Sequence, residues 1–539
     1  MVVLLRFAPS PTGALHLGGL RTALYNHLYA RRLGGKWILR IEDTDATRAV
    51  PGAVDGIRSA LEWAGLEYDY GPGVGGPHAP YYQSERLDLY HTYAHKLLDS
   101  GHAYRCFCSA DTLAATRERL ARTGSNATYD KACLNLTEEE VMRRVRAGHK
   151  HVVRLNDSNL PNRPAQADLI FGHVKDAHAS LPTDPVLLKS DLFPTYHLAS
   201  VSDDHEMGIT HVLRGEEWLP SLPLHLDLYA ALNLKPPHFA HLPLMLNRDG
   251  SKMSKRKGDV QVLDYQRRGW EPIAVLNWLA LAGWGTAASP SHTGAAESDT
   301  PPPIPVPSKK AKKAAPDSTA VMTLNELIHN FDLSSLTHRR TVLDPNKLEY
   351  LNKHHLMRIA ETDEGLTALA EKVHDVVKAA FPTSPYTNVA YIKDVISALE
   401  GRIVNIRDLP IYGAYFFLEP YFQGDEAIKM RKRLDDVEYR KFFPPSVASY
   451  YMLVCFVGTV LESLIQRLSL EDSTKWSEDT IRQLLQDEES KVGLKQKTFM
   501  SVLRHALTGS SVRASCFAFL FEINPLLFVD RLDRASQPS

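Results

Sequence analysis

The chain has 539 residues, with 62 Lys and Arg against 63 Asp and Glu and a formal net charge of −1. That length exceeds what one hydrophobic core serves, so several domains are expected. The even charge excludes a globally basic nucleic-acid binder, and any polyanion must be met by a local positive face. Apolar and charged contents of 44% and 23% are those of an ordinary globular protein. No apolar run reaches the length of a membrane span, so no membrane partner is expected. Five scattered cysteines, an odd number, argue for a reducing compartment over a disulfide framework.

The first apolar run, Val2-Val3-Leu4-Leu5, reads as a buried strand, and no signal or transit peptide precedes it in the sequence. It leads through Arg6-Phe7-Ala8-Pro9-Ser10-Pro11-Thr12-Gly13 into helical spacing over 20–30. A strand thus enters a turn and then a helix whose first turn holds His16, Gly18 and Gly19. A helix start offers free N–H groups and a positive dipole end, which suits phosphate, and glycines there allow close approach. A strand over 36–41 and helices over 51–66 and 90–98 follow, with Gly65 and Gly101 near the helix ends. Alternation of this kind predicts a parallel sheet with helices on its faces. Residues 106–190 break the pattern with turns, a charged helix near 137–140 and a strand-like 151–155. The first pattern resumes near Leu187 and runs to about 245. A polar loop then carries Lys252, Lys255, Arg256 and Lys257 between Gly250 and Gly258, spacing that suits opening and closing. Residues 286–318, rich in Pro, Ala, Ser and Lys, read as a disordered insertion, with Lys309, Lys310, Lys312 and Lys313 as an alternative phosphate-touching arm. From about 360 onward, amphipathic stretches such as 449–468 and 498–508 predict a helix bundle.

Two motifs carry a resemblance. His16-Leu17-Gly18-Gly19 and Lys252-Met253-Ser254-Lys255-Arg256 resemble the two signatures of class I aminoacyl-tRNA synthetases. Their flanks, together with Arg40-Ile41-Glu42-Asp43-Thr44-Asp45, are similar to the glutamyl-tRNA synthetases of bacterial and organellar type. The resemblance implies an α/β Rossmann-type catalytic domain with an inserted acceptor-binding domain, followed by an all-α anticodon-binding region. It divides the chain into the two catalytic halves 1–105 and 191–245, the insert 106–190, a stem-contact region 246–359 and a helical region 360–539. The implied reaction activates L-glutamate with ATP, accompanied by Mg2+, and transfers it to the terminal adenosine of tRNA(Glu). Whether tRNA(Gln) is a second acceptor stays open.

The same resemblance implies residue roles. His16, Lys252 and Lys255 are the catalytic candidates, acting on the phosphates. Pro11, His16, Gly18, Gly19, Glu217 and Lys252 would bind ATP. Arg6, Ala8, Ser10, Glu42, Tyr196, Ser200 and Arg214 would bind glutamate, although many relatives have Asn where Ser200 stands. Arginine forks suit the substrate carboxylates, and Glu42 suits the ammonium. The plainer readings are a capping His16, a solvated cation run, and a structural ion pair of Glu42 with Arg40 or Arg48. Cys106, Cys108, Tyr129 and Cys133 could hold zinc, as in some bacterial-type relatives. With only three cysteines, and Asn135 near the place of the usual histidine, the plainer reading is a reduced cluster. His338-Arg339-Arg340 and the basic run 429–433 are candidate tRNA contacts or ordinary charged faces. The rival readings are a non-catalytic tRNA-binding paralogue, a relative that modifies a tRNA base, and a glutaminyl-type enzyme. Intact His16, Lys252 and Lys255, and the long helical second half, speak against them. Relatives are commonly monomers. The insertion and the spelling 20–26 point to the mitochondrial matrix, with a bacterial cytoplasm as the alternative.

Overall fold

The computed structural model describes residues 2–173, 182–247, 250–251, 261–284, 319–418, 423–433, 463, 466–467 and 478–508. Lys252 and Lys255, the 286–318 insertion and most of 449–468 lie outside the described residues. The chain divides into two units, 1–351 and 352–539.

In the first unit, strand β1 (Leu4–Phe7) leads to helix α1 (Leu17–Arg32) and strand β2 (Lys36–Leu39). Helices α2 (Ala53–Trp63) and α3 (Leu87–Asp99) follow, then β3 (Ala103–Cys106), α4 (Ala110–Arg122), α5 (Glu138–Arg146), β4 (Val152–Leu155) and β5 (Val186–Leu188). Helix α6 (Tyr196–Glu206), strand β6 (His211–Gly215), helix α7 (Leu222–Ala231) and strand β7 (His238–Leu242) complete the central layer. Four strands form a parallel sheet in the order β2-β1-β6-β7. Connections leave β1 in opposite directions, so a crevice opens at the strand ends between β1 and β6, the usual place for a ligand in such sheets.

The first strand runs Leu4–Phe7 where the apolar run predicts 2–5. Arg6 continues it because its charge is met in the interior by Asp204, 3.1 Å away. Helix α1 is amphipathic through Leu17, Leu20, Leu24 and Leu28, all buried, and its last turn carries Arg31 and Arg32 on the negative dipole end. Gly65 and Gly101, at φ +69° and +73°, end α2 and α3 in the left-handed conformation.

Period-two alternation distributes the sheet's side chains between two apolar layers. Leu5, Phe7, Trp37, Leu39, Leu213 and Ala240 pack with α1 and the helix Pro272–Leu281. Leu4, Ile38, Val212 and Phe239 pack on the opposite face with residues of α3, α6 and α7. Two residues beyond each of these four come Arg6, Arg40, Arg214 and His241, all buried. One face of the sheet is therefore apolar where the strands begin and ionic or polar where they finish.

The segment expected to return to the first sheet near Leu187 instead closes a separate three-stranded antiparallel sheet, β3-β4-β5. The parallel sheet resumes only at β6. A short apolar strand carries no mark of which sheet it joins, which is why alternation misplaces it.

In the second unit, helices Asp363–Ala380 and Val389–Ala398 pack together around Val373, Val377, Ile392 and Val395. Thr362 and Asn388 cap them, accepting from Gly365 N and Tyr391 N. The stretch expected over 498–508 is the helix Gln496–Thr508, which adds Phe499, Val502 and Leu503 to this core. Among the described residues, no helix is long and apolar enough to cross a membrane.

Candidate active site

A cleft of about 360 Å³ lies at the carboxyl ends of β1 and β6 and at the start of α1. Arg6, Ala8, Ser10, Glu42, Tyr196 and Arg214 line it, as do His16, Gly18, Gly19 and Glu217. Pro11 and Ser200 do not. Pro11 accepts a hydrogen bond from Val50 N through its carbonyl, and Ser200 is fully buried in α6 with its hydroxyl unpartnered.

His16 caps α1 from an extended conformation, and its Nδ1 accepts from Gly19 N at 3.0 Å. In the neutral ring that acceptance leaves the proton on Nε2, making that nitrogen a donor. The capping and catalytic readings of this residue are therefore compatible. A Cβ on Gly18 would stand 3.0 Å from two atoms of the imidazole, so any side chain there would press on the ring. A Cβ on Gly19 would meet Leu15 Cδ1 at 2.6 Å, so this glycine also serves packing.

Beneath the cleft, three arginines meet three carboxylates. Asp204 Oδ1 takes Arg6 Nε at 3.1 Å and Arg40 Nη1 at 2.7 Å. Asp203 takes Arg86 Nε at 2.7 Å, and Tyr90 and Gln83 also donate to it. Arg40 Nη2 lies 3.5 Å from Glu42 Oε1. The plainer reading of Glu42 as an ion-pair partner is thus realised with Arg40. Even so, Glu42 Oε1 accepts no hydrogen bond, and burial drives its carboxyl up to about 7 against the pull of Arg40 and Arg6.

Arg214 stands outside this balance. It is buried, and among the described residues no carboxylate pairs with it directly. Its contacts are His241 Nε2 at 2.9 Å, Tyr196 Oη at 3.0 Å, His225 Nδ1 at 3.3 Å and the Trp218 carbonyl at 3.4 Å.

Away from the cleft, at the end of β3, the four candidate metal ligands converge. The Sγ atoms of Cys106, Cys108 and Cys133 lie within 4.8 Å of one another. Tyr129 Oη is 3.4 Å from Cys106 Sγ and 3.6 Å from Cys108 Sγ. The hydrogen bond from Cys133 holds the Cys106 thiol down to about 4 although burial opposes it, and the same bond raises Cys133. Of the candidate tRNA contacts, Arg340 is paired with Glu216 at 3.0 Å, and Met430 is buried, so the 429–433 run is amphipathic.

Sequence reasoning did not single out Asp203, Asp204, Arg86, Asp168, His225 or His241. The available signal was polar residues inside apolar surroundings, as in Leu222-Pro223-Leu224-His225-Leu226, which a surface helix would not place there.

Comparison with known proteins gives this geometry its setting. Residues 2–301 match the family model "tRNA synthetases class I (E and Q), catalytic domain", and residues 457–536 match "Anticodon binding domain". The glutamate–tRNA ligase of Chloroherpeton thalassium is 40% identical over 437 residues, covering 79% of this chain and 80% of its own. That of Clostridioides difficile is 34% identical over 522 residues, 94% of each chain. The crystal structure of a glutamate tRNA ligase from Elizabethkingia meningosepticum, in complex with its amino acid, superposes with a TM-score of 0.75 at 30% identity and covers 99% of both chains.

The chain belongs to the class I tRNA synthetases of the glutamate and glutamine group. Within it, the activity is that of a glutamate–tRNA ligase, which uses ATP, with the Mg2+ that this class of fold implies, to charge tRNA(Glu). An α/β catalytic region precedes a helical anticodon-binding region, as expected. The mitochondrial expectation is corrected: the relatives and solved structures compared are bacterial, which supports a bacterial cytoplasm instead. The local spelling 20–26 on which that expectation partly rested lies inside α1, where its mostly buried residues answer to packing and not to compartment.

Proposed function

We propose that the cleft holds glutamate at the strand ends and ATP at the start of α1. The observation that carries this reading is Arg214. A buried guanidinium without a carboxylate partner is costly until an anion arrives, and a substrate carboxylate is such an anion. Arg6, already tied to Asp204 through Nε, has its remaining donors for the same substrate. Ala8, Ser10 and Tyr196 complete the wall, and Glu42 receives the ammonium.

In the first step a glutamate carboxylate oxygen attacks the α-phosphorus of ATP. A phosphorus–oxygen bond forms, the bond to the bridging oxygen breaks, and pyrophosphate leaves. A ribose hydroxyl of the terminal tRNA adenosine then attacks the acyl carbon and AMP departs. Negative charge grows first on phosphate oxygens, so donors placed there lower the barrier. His16 Nε2–H is one such donor, and Lys252 and Lys255 from the second motif are the others. Gly18 and Gly19 leave room for adenosine, with Glu217 beside it. The test is aminoacylation of purified glutamate and glutamine tRNAs with either amino acid. Glutamate on tRNA(Glu) is the expected product, and its absence with intact tRNA present overturns the reading.

Glu42 gives a pH signature. Its raised pKa means that the folded protein holds the proton more tightly than the unfolded chain. Burial of the carboxylate therefore costs stability above about pH 7, and the cost fades towards pH 4.5. Glu42→Gln is expected to melt higher than the parent at pH 8, by about 3 kcal/mol, with the gap closing by pH 5. The same variant is expected to bind glutamate poorly at every pH. The parent's glutamate KM is expected to rise as the pH falls below about 7. Melting curves and KM profiles across that range check both.

The cysteine cluster fits zinc. A tetrahedron with Zn–S bonds of about 2.3 Å has edges of roughly 3.8 Å, and Cys108 Sγ and Cys133 Sγ stand 3.5 Å apart with a phenol as fourth donor. Bound there, the metal would staple the end of β3 to the segment carrying Tyr129 and Cys133. Protein purified without added metal is expected to contain roughly one zinc per chain, lost in Cys133→Ser. A metal-free protein that melts as the loaded one does would remove this assignment.

A further inference from the structure

Arg214 is aimed by a relay of uncharged rings. Parallel register sets it beside His241 on the neighbouring strand. A guanidinium only donates, so His241 Nε2 must present a lone pair to Arg214 Nε. The ring proton is therefore on Nδ1, which donates to Asp168 Oδ2 at 2.7 Å. The same logic fixes the second ring: His225 Nδ1 accepts from Arg214, so its Nε2–H donates to His197 Nδ1 at 3.1 Å. Burial lowers His241 to about 4, although Asp168 pulls the other way, so the ring stays neutral.

Asp168 cannot turn away. Its Oδ1 accepts from Ile170 N at 3.0 Å and Phe171 N at 2.9 Å, and both its oxygens face His241 N, at 3.3 and 3.1 Å. Leu169 N donates to the Phe239 carbonyl at 2.8 Å, which ties the turn to β7. The carboxylate is fully enclosed, and so is the imidazole.

We infer that Asp168 and His241 are positioning residues for glutamate. Together they set the imidazole tautomer that holds the Arg214 fork in place, without supplying a carboxylate that would occupy it. This rests on the reading that Arg214 receives a substrate carboxylate.

Asp168→Asn tests it with almost no change of size. The backbone donors of Ile170 and Phe171 keep the amide oxygen, so the amide nitrogen faces His241 Nδ1. That forces the ring proton onto Nε2, donor against donor with Arg214. Glutamate KM is expected to rise roughly 10-fold or more, with KM for ATP within about two-fold of the parent. The double variant Asp168→Asn/Arg214→Gln is expected to be no worse for glutamate than Arg214→Gln alone. His241→Phe should repeat the loss, and His241→Gln, which keeps an acceptor, should recover most of it. An unchanged glutamate KM in Asp168→Asn, an equal rise in KM for ATP, or additive losses in the double variant would overturn the relay. Should Asp168→Asn fail to fold, the His241 pair decides, and equal behaviour of Phe and Gln overturns the relay. If Arg214→Gln itself leaves glutamate KM unchanged, it is the underlying reading of Arg214 that fails.

Discussion

His16→Asn is expected to lower ATP–pyrophosphate exchange, measured with tRNA present, by about 10²- to 10³-fold while melting as the parent does. The reasoning starts from the two nitrogens of one ring. Nδ1 accepts from Gly19 N and so caps α1. Asparagine is among the best capping residues, so the helix start survives the exchange. What it lacks is the reach of Nε2–H to the phosphates. His16→Ala loses both functions and is expected to melt lower by about 1 kcal/mol, with an equal loss of rate. Exchange near the parent's rate in His16→Asn would reduce this histidine to a cap.

Arg214→Gln is expected to cost about 10²-fold or more in kcat/KM for glutamate, with KM for ATP little changed. A charge-assisted fork to a carboxylate is lost, and the amide cannot restore the charge. The protein itself should be stabilised or unaffected, because a buried cation with no direct counter-charge is removed. Activity and stability moving in opposite directions is the signature that separates a substrate-binding arginine from a structural one. The matching exchange at Arg6 should lower both, since it leaves Asp204 with Arg40 alone.

Much of this was legible in the chain. The Pro/Gly turn between an apolar run and helical spacing placed His16 at a helix start, and the structure finds it capping α1. The cleft residues Arg6, Glu42 and Arg214 were reachable through the family motifs. What spacing could not supply was their pairing. Arg6 and Arg214 look alike in sequence, each two residues beyond an apolar residue in its strand. Only the fold shows that one meets Asp204, 198 positions away, and that the other meets neutral rings. Asp203 and Asp204 were invisible because α6 is buried along most of its length and so shows no polar stripe for them to break. The membership of β5 was unreadable for a related reason: three apolar residues carry pattern but no address.

The matched set of arginines and carboxylates beneath the cleft has a consequence for redesign. A specificity swap that recodes a lone member of the Arg6, Arg40, Arg86, Asp203 and Asp204 set leaves an orphan ion in a dry interior, and stability falls along with selectivity. Retargeting this scaffold to an uncharged amino acid therefore calls for exchanging those cations and anions in tandem, whereas Arg214 and Glu42 can each be altered alone.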